Sequence, residues 1–183
     1  MKLLDFNRIL GILILTLFYV ACSSDLDFNQ ANDLKLEPIF SSNLAYFDVP
    51  ANQFVPNGVE QPIIADTPTI DIFNDAFFKD NLAKAEFFFE INNTIDRAFT
   101  IDLVYLDRNN QVLYSTNFAI PAYTGVENLV KKDDKFENTK LDLLKRTTKI
   151  AFILKMLPGP ILSETSPGSL KLRSSVNAYL VIE

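Results

Sequence analysis

The sequence predicts a mainly β protein: an antiparallel β-sandwich of immunoglobulin-like or related type, with one short helix, preceded by a signal peptide. Three observations carry this. Two central segments alternate apolar and polar residues at period two, and shorter runs of the same kind recur between Pro-, Gly- and Asn-rich breaks. Aromatic content is high, with 16 Phe and 6 Tyr. Period two places every second side chain on one face of a strand. Several short strands separated by turn signals describe two packed sheets.

The chain opens with "MKLLDFNR", which carries Lys2 and Arg8, followed by "ILGILILTLFYV", twelve residues without a charge. As a helix that run spans roughly 18 Å, short of the ~30 Å hydrocarbon core of a bilayer. A basic start, a short apolar middle and a small residue at Ala21 describe a signal peptide. The only cysteine in the chain, Cys22, comes next. Tyr19-Val20-Ala21-Cys22 resembles the lipobox of bacterial lipoproteins, with Tyr19 in place of the usual Leu. The resemblance implies that the thiol of Cys22 is acylated and that the leader is cut just before it. A membrane-held lipid anchor without a membrane span follows. Each buried methylene contributes about 0.8 kcal/mol, so two or three acyl chains hold firmly. Behind the cysteine, Ser23, Ser24, Asp25 and Asp27 resemble the acidic surface-export signal of Bacteroidota lipoproteins. That likeness implies display at the cell surface, with the periplasmic face of the outer membrane as the alternative.

The expected organisation is a signal peptide over 1–21, the lipidated Cys with a flexible acidic tether over 22–33, and one sandwich domain over 34–183. The tether reaches up to ~35 Å when extended. Within the domain, 34–40 and 44–50 read as two short strands bounded by proline, suited to a sheet edge. Residues 51–68 hold Pro56, Pro62 and Pro68 and read as an irregular loop, with a strand at 69–73. Residues 74–83 fit a helical turn or a loop equally well. In "KAEFFFEIN", Ala85, Phe87, Phe89 and Ile91 share a face, and in "AFTIDLVYL" so do Phe99, Ile101, Leu103 and Tyr105. "DRNNQ" then supplies turn residues, and "VLYSTNF" returns as the second arm of a hairpin. The helix is expected in "YTGVENLVKKDDKFENTKLDLLKR", capped by Asp133, with Phe136, Leu143 and Leu144 on one face. Lys145 and Arg146 stand where the C-terminal dipole favours cations. "TKIAFILKM" is apolar on both faces, hence a central strand covered on both sides, with the helix as one cover. The alternating "SLKLRSSVNAYLVIE" closes the domain. The stretch 88–121 also resembles the β-sandwich of late-embryogenesis water-stress domains, which implies the fold and nothing further.

Composition excludes several functions. The sequence has no His and no Trp, so triads and metal sites that use His cannot be built. Its five Gly stand singly and form no phosphate-cradling loop. Removing the leader takes Lys2, Arg8 and Asp5, moving the formal charge from −6 to −7. That balance disfavours nucleic acid as a partner.

Candidate sites are weak. Asp66, Asp71, Asp75 and Asp80 could hold a hard cation, although charge on an exposed loop is the preferred reading. Asp107-Arg108-Asn109-Asn110 begins like a calcium loop but lacks the later ligands, and a hairpin turn explains it. Asn92-Asn93-Thr94 fits a glycosylation pattern and, better, a turn. Phe88 lies opposite Phe87 and Phe89, either covered beneath the helix, which is preferred, or part of an exposed apolar patch. Tyr46, Tyr105, Tyr114 and Tyr179 are spread over the strands. No catalytic residue, metal or cofactor is expected. The function expected is that of a non-catalytic, lipid-anchored interaction or accessory module, its partner another envelope protein. The alternative is a protein that binds a small ligand or glycan in a pocket of the sandwich. A solid core with an exposed edge or apolar patch favours the first, and an enlarged apolar cavity the second.

Overall fold

Eight strands are formed in the computed structural model, which describes residues 35–70 and 72–183. They are β1 (Ile39–Pro50), β2 (Ile63–Asp66), β3 (Leu82–Asn93), β4 (Phe99–Leu106), β5 (Val112–Ile120), β6 (Leu129–Phe136), β7 (Lys149–Met156) and β8 (Ser169–Leu180). Two helices accompany them, α1 (Ala76–Asn81) and α2 (Asn138–Arg146). All pairings are antiparallel, in two four-stranded sheets of order β1-β8-β3-β6 and β2-β7-β4-β5. Residues Leu36–Ile182 form one compact unit.

The pairing is nested. First strand meets last, second meets seventh, third meets sixth and fourth meets fifth, like one long hairpin folded about the β4–β5 turn. Rolling that hairpin brings β8 against β3 and β7 against β4, which closes each sheet. This is the jelly roll, the double-sheet form of the antiparallel sandwich. Its strand order differs from the immunoglobulin arrangement, in which the sheets are ABED and CFG.

The predicted alternation decides the core. Ala85, Phe87, Phe89 and Ile91 of β3 and Phe99, Ile101, Leu103 and Tyr105 of β4 are all buried. Phe87 meets Phe89, Tyr105 and Phe136 with ring centroids 6.3, 6.1 and 5.0 Å apart. Asp107 fixes the β4–β5 turn, its Oδ1 accepting the Asn109 and Gln111 amides at 2.8 Å each. At the other end, Asn93 is fully buried, and its side chain donates to the Arg97 and Pro121 carbonyls and accepts from the Ile95 amide. It staples the crossing from one sheet to the other, so the Asn-Asn-Thr motif ends β3 and the turn follows it at 95–97.

Several expectations are corrected. Residues 34–40 and 44–50 contribute to a single strand, with a bulge at Leu44 between Asn43 and Ala45. It does lie at a sheet edge. The 51–68 loop contains 3-10 turns at Ala51–Phe54 and Pro56–Gly58 and then β2, whose four residues are too few to show a period. Among the described residues of 69–73 there is no strand, only a bridge from Thr69 to Lys149 and the start of a 3-10 turn at Ile72–Asn74. The open choice at 74–83 resolves to α1, where the Asp75 side chain caps the Phe77 amide at 2.9 Å.

The largest correction concerns "LVKKDDKF", which is β6 rather than the start of the helix. Asp133 therefore pairs with Phe88 in the sheet and caps nothing. The helix is shorter, with Leu141 and Leu144 buried. It packs against β3, β5, β6 and the Ile72–Asn74 turn, so it closes one side of the sandwich and does not cover β7. β7 is nevertheless central, between β2 and β4. No helix among the described residues is long and apolar enough to cross a membrane.

Candidate functional site

Tyr19, Val20, Ala21, Cys22, Ser23, Ser24, Asp25 and Asp27 lie outside the described residues, as does Asp71. The remaining predicted acids do not converge. Asp66 accepts the Thr67 amide, and Asp75 serves α1. Among the described residues no group of three or more His, Cys, Asp or Glu side chains comes together as a metal site.

The chemistry of the molecule concentrates on the outer face of the β1-β8-β3-β6 sheet. Because β3 and β8 bury alternate residues, the intervening positions point away from the core in register. Rows of side chains then cross the strands: Ser41, Asn177, Glu86 and Lys135; Asn43, Ser175, Phe88 and Asp133; Tyr46, Arg173, Glu90 and Lys131; Asp48, Lys171, Asn92 and Leu129. The bulge at Leu44 lets β1 keep Tyr46 in this face while Phe47 and Val49 turn inward. Ser174 holds the bulge, accepting from the Ala45 amide and donating to the Ala45 carbonyl, both at 3.0 Å.

Opposite charges alternate across the rows. Glu86 receives Lys84 at 2.8 Å, the Tyr179 hydroxyl at 2.7 Å and Lys135 at 3.4 Å. Hydrogen bonds from Lys84 and Tyr179 hold its carboxyl down at about 2. Glu90 pairs with Arg173 and stands 3.6 Å from Lys131. The Arg173 hydrogen bond lowers its pKa below the usual carboxylate range. Lys171 meets Asp48 at 3.2 Å.

Between these pairs the surface dips. Phe88 is half-buried and floors a depression of about 380 Å³ with Asn43, Lys131, Asp133, Arg173 and Ser175. It is covered neither by the helix nor by an apolar neighbour, and its surroundings are polar. A second depression, about 270 Å³, is lined by Tyr46, Glu90, Asn92, Lys171 and Arg173. Tyr46 is 66% exposed there. The buried Oδ1 of Asn92 has no hydrogen-bond partner among the described residues.

Two other places carry polar or apolar surprises. On the inner side of β6, the buried Asp134 is paired with Lys140 of α2, whose ammonium lies 4.2 Å from the Tyr114 ring centroid. Burial pushes Lys140 down, but hydrogen bonds to Asp134 and Tyr114 outweigh it and leave its pKa raised. Beside them burial, reinforced by the Asp134 charge, raises Tyr105 well above the usual phenol value. At the β1 and α1 end, Leu36, Ile39, Phe40, Ile72 and Phe77 are all exposed large apolar residues.

Of the four tyrosines, the fold sends Tyr46 and Tyr179 to the outer face and Tyr105 and Tyr114 to the core side. Glu90, Lys171 and Arg173 belong to no motif in the sequence, and Asn92 stands out there only within Asn92-Asn93-Thr94. Their signal was their outward phase in two strands, which lacks meaning until those strands are known to be neighbours.

No protein-family model matches the chain, and no curated protein sequence does. Among solved structures it is similar to VP2 of infectious bursal disease virus in a subviral particle, at 11% identity and a TM-score of 0.45 over 78% of this chain and 32% of VP2. A candidate secreted protein of Parabacteroides distasonis matches at 13% identity and a TM-score of 0.45, over 63% of this chain and 37% of that one. A Desmodium yellow mottle tymovirus chain matches at 11% identity and a TM-score of 0.32, over 81% and 90%. The chain spans about a third of the length of the first two.

Proposed function

We propose that this protein is a non-catalytic lipoprotein, held by acyl chains on Cys22 at the bacterial outer membrane, and that its jelly roll is an interaction module for another envelope protein. The leader, the lipobox-like residues Tyr19 to Cys22 and the Ser23–Asp27 stretch support the address. The absence of His from the sequence supports the non-catalytic reading.

One observation carries the module reading. Interlocked rings fill the space between the sheets around Phe87. Toward β1 an apolar depression of about 320 Å³ lined by Phe40, Leu44, Ile70, Phe73, Phe78 and Val176 opens, and the edge of the sandwich beside it is apolar and exposed. β1 stands at the end of its sheet and, among the described residues, pairs only with β8. At its start Ile39 and Phe40 are 58% and 50% exposed. An end strand with apolar flanks is a surface on which a partner strand or loop can dock. Tethering adds to this, because confinement to the membrane plane raises the effective concentration of the module for its neighbours.

The test is done in intact cells. Cys22→Ala should move the protein from the membrane to the soluble fraction, and mass spectrometry of the wild type should find acyl chains on Cys22. A photo-crosslinker at position 39 should give a discrete adduct that disappears in the Cys22→Ala background. An unmodified Cys22 overturns the anchor, and no adduct from position 39 overturns the module.

A further inference from the structure

The outer sheet face offers a site made of side chains and not of the unpaired backbone edge of β1. We infer that Tyr46, Glu90, Asn92, Lys171 and Arg173 form a subsite for a neutral, polyhydroxylated ligand, a saccharide. The inference goes beyond the module reading and does not depend on the anchor.

Geometry comes first. The residues belong to two adjacent rows on three neighbouring strands, Tyr46-Arg173-Glu90 and Asp48-Lys171-Asn92. Strands lie ~4.8 Å apart and same-face residues ~6.8 Å apart along a strand, so the patch has the footprint of one or two sugar rings. Its depression holds about 270 Å³. A second, of about 380 Å³ over Phe88, adjoins it through Glu90 and Arg173, so a longer chain has somewhere to continue.

Charge then selects the ligand. Each cation in the patch already faces a carboxylate, Arg173 with Glu90 and Lys171 with Asp48. Over the two adjoining depressions Lys131, Lys171 and Arg173 are balanced by Glu90, Asp48 and Asp133, and a phosphate or sulfate would have to displace a carboxylate to be held. An apolar ligand would lie against ion pairs open to water. A neutral ring with hydroxyl groups meets neither obstacle. Arg173 has five N–H donors and spends few of them on Glu90, so it can donate to ligand oxygens.

Two features ask for such a ligand. The Asn92 Oδ1 is a buried acceptor with no partner among the described residues, and a buried acceptor left without one costs about 1–3 kcal/mol. Turning the Asn92 amide outward into the depression would let a ligand hydroxyl donate to it. Tyr46 presents an aromatic face at the sheet edge, 66% exposed, and such a face packs against the C–H side of a sugar ring. It also has a hydroxyl at its wet end.

The experiment uses the mature, acylated protein purified in lauryldimethylamine oxide, a detergent without a sugar head. It is titrated calorimetrically with neutral hexasaccharides of glucose, mannose, xylose and galactose, with a heparin hexasaccharide, and with a tryptic peptide pool. At least one neutral hexasaccharide should bind with Kd below about 1 mM. Asn92→Ala and Tyr46→Ala should each weaken it at least about tenfold, with the circular-dichroism spectrum unchanged. Lys145→Ala, on α2, should bind like the wild type. No neutral hexasaccharide bound at about 10 mM overturns the inference. So does binding of heparin or peptide alone, or neutral binding that survives Tyr46→Ala.

Discussion

Phe87 and Phe88 stand one residue apart in β3, yet they belong to regions governed by different physics. Phe87 is fully buried between the sheets, with aromatic neighbours on three sides. Phe88 lies in the outer face between Ser175 and Asp133, half-buried among charged and polar groups. The inner region is set by volume, since rings must fill the gap at close-packed density. The outer region is set by pairing of charges, and its shape is free to dip. The same residue type is therefore structural in one place and available for contact in the other.

The sharpest way to break this comparison is to truncate both rings. Phe87→Ala should cost about 3–5 kcal/mol of stability, because it leaves a cavity that the aromatic neighbours cannot collapse into. Phe88→Ala should cost about 1 kcal/mol, the transfer of a half-buried ring without a cavity. Urea unfolding of the two variants under one set of conditions compares them, and equal losses would show that the outer face is packed like the core.

The inner region has one exception, the Asp134–Lys140 pair, and it sharpens the rule. Lys140→Ala would leave the buried Asp134 carboxylate uncompensated. Removing one partner of a fully buried pair costs 3–5 kcal/mol, and Lys140 keeps 28% of its side chain exposed. The expected loss is therefore smaller, about 2–3 kcal/mol. Lys140→Ala combined with Asp134→Leu should recover most of it in the same urea series.

The outer region should answer to pH. Glu86 has a folded pKa of about 2, held down by hydrogen bonds from Lys84 and Tyr179, against about 4.3 for an unperturbed Glu. A depressed folded value means that its contribution is present above the unfolded pKa and fades as pH falls toward 2. Glu86→Gln should thus lower Tm modestly at pH 7 and flatten the fall of Tm between about pH 4.5 and 2. An unchanged acid limb would show that this cluster contributes nothing, as many exposed pairs do.

Legibility in the sequence followed the same division. β3, β4, β7 and β8 were readable because their buried faces are apolar but for Ser174 in β8 and Asn93 at the end of β3. β6 was not, because its inward positions include Lys132 and Asp134, which read as helix surface. Their partners come only from the tertiary structure, the Asn117 carbonyl for Lys132 at 2.9 Å and Lys140 for the Oδ1 of Asp134. An inward charge on an edge strand also discourages edge-to-edge association. β2 was hidden by its shortness and its flanking prolines. The candidate saccharide site was illegible for another reason. Its residues come from 46, 90–92 and 171–173, and nothing local marks them as neighbours.

The sequence by itself determined the fold class, the inward residues of the long strands, the β4–β5 turn and the leader-like N-terminus. Each depends on nearest neighbours along the chain: alternation, turn chemistry and a run of apolar residues. Only the tertiary structure decided the jelly-roll order, the true extent of α2 and the meeting of Tyr46 with Asn92 and Arg173. Those depend on which strand lies beside which. A period-two pattern tells a strand which face to bury but carries no information about the identity of its neighbour.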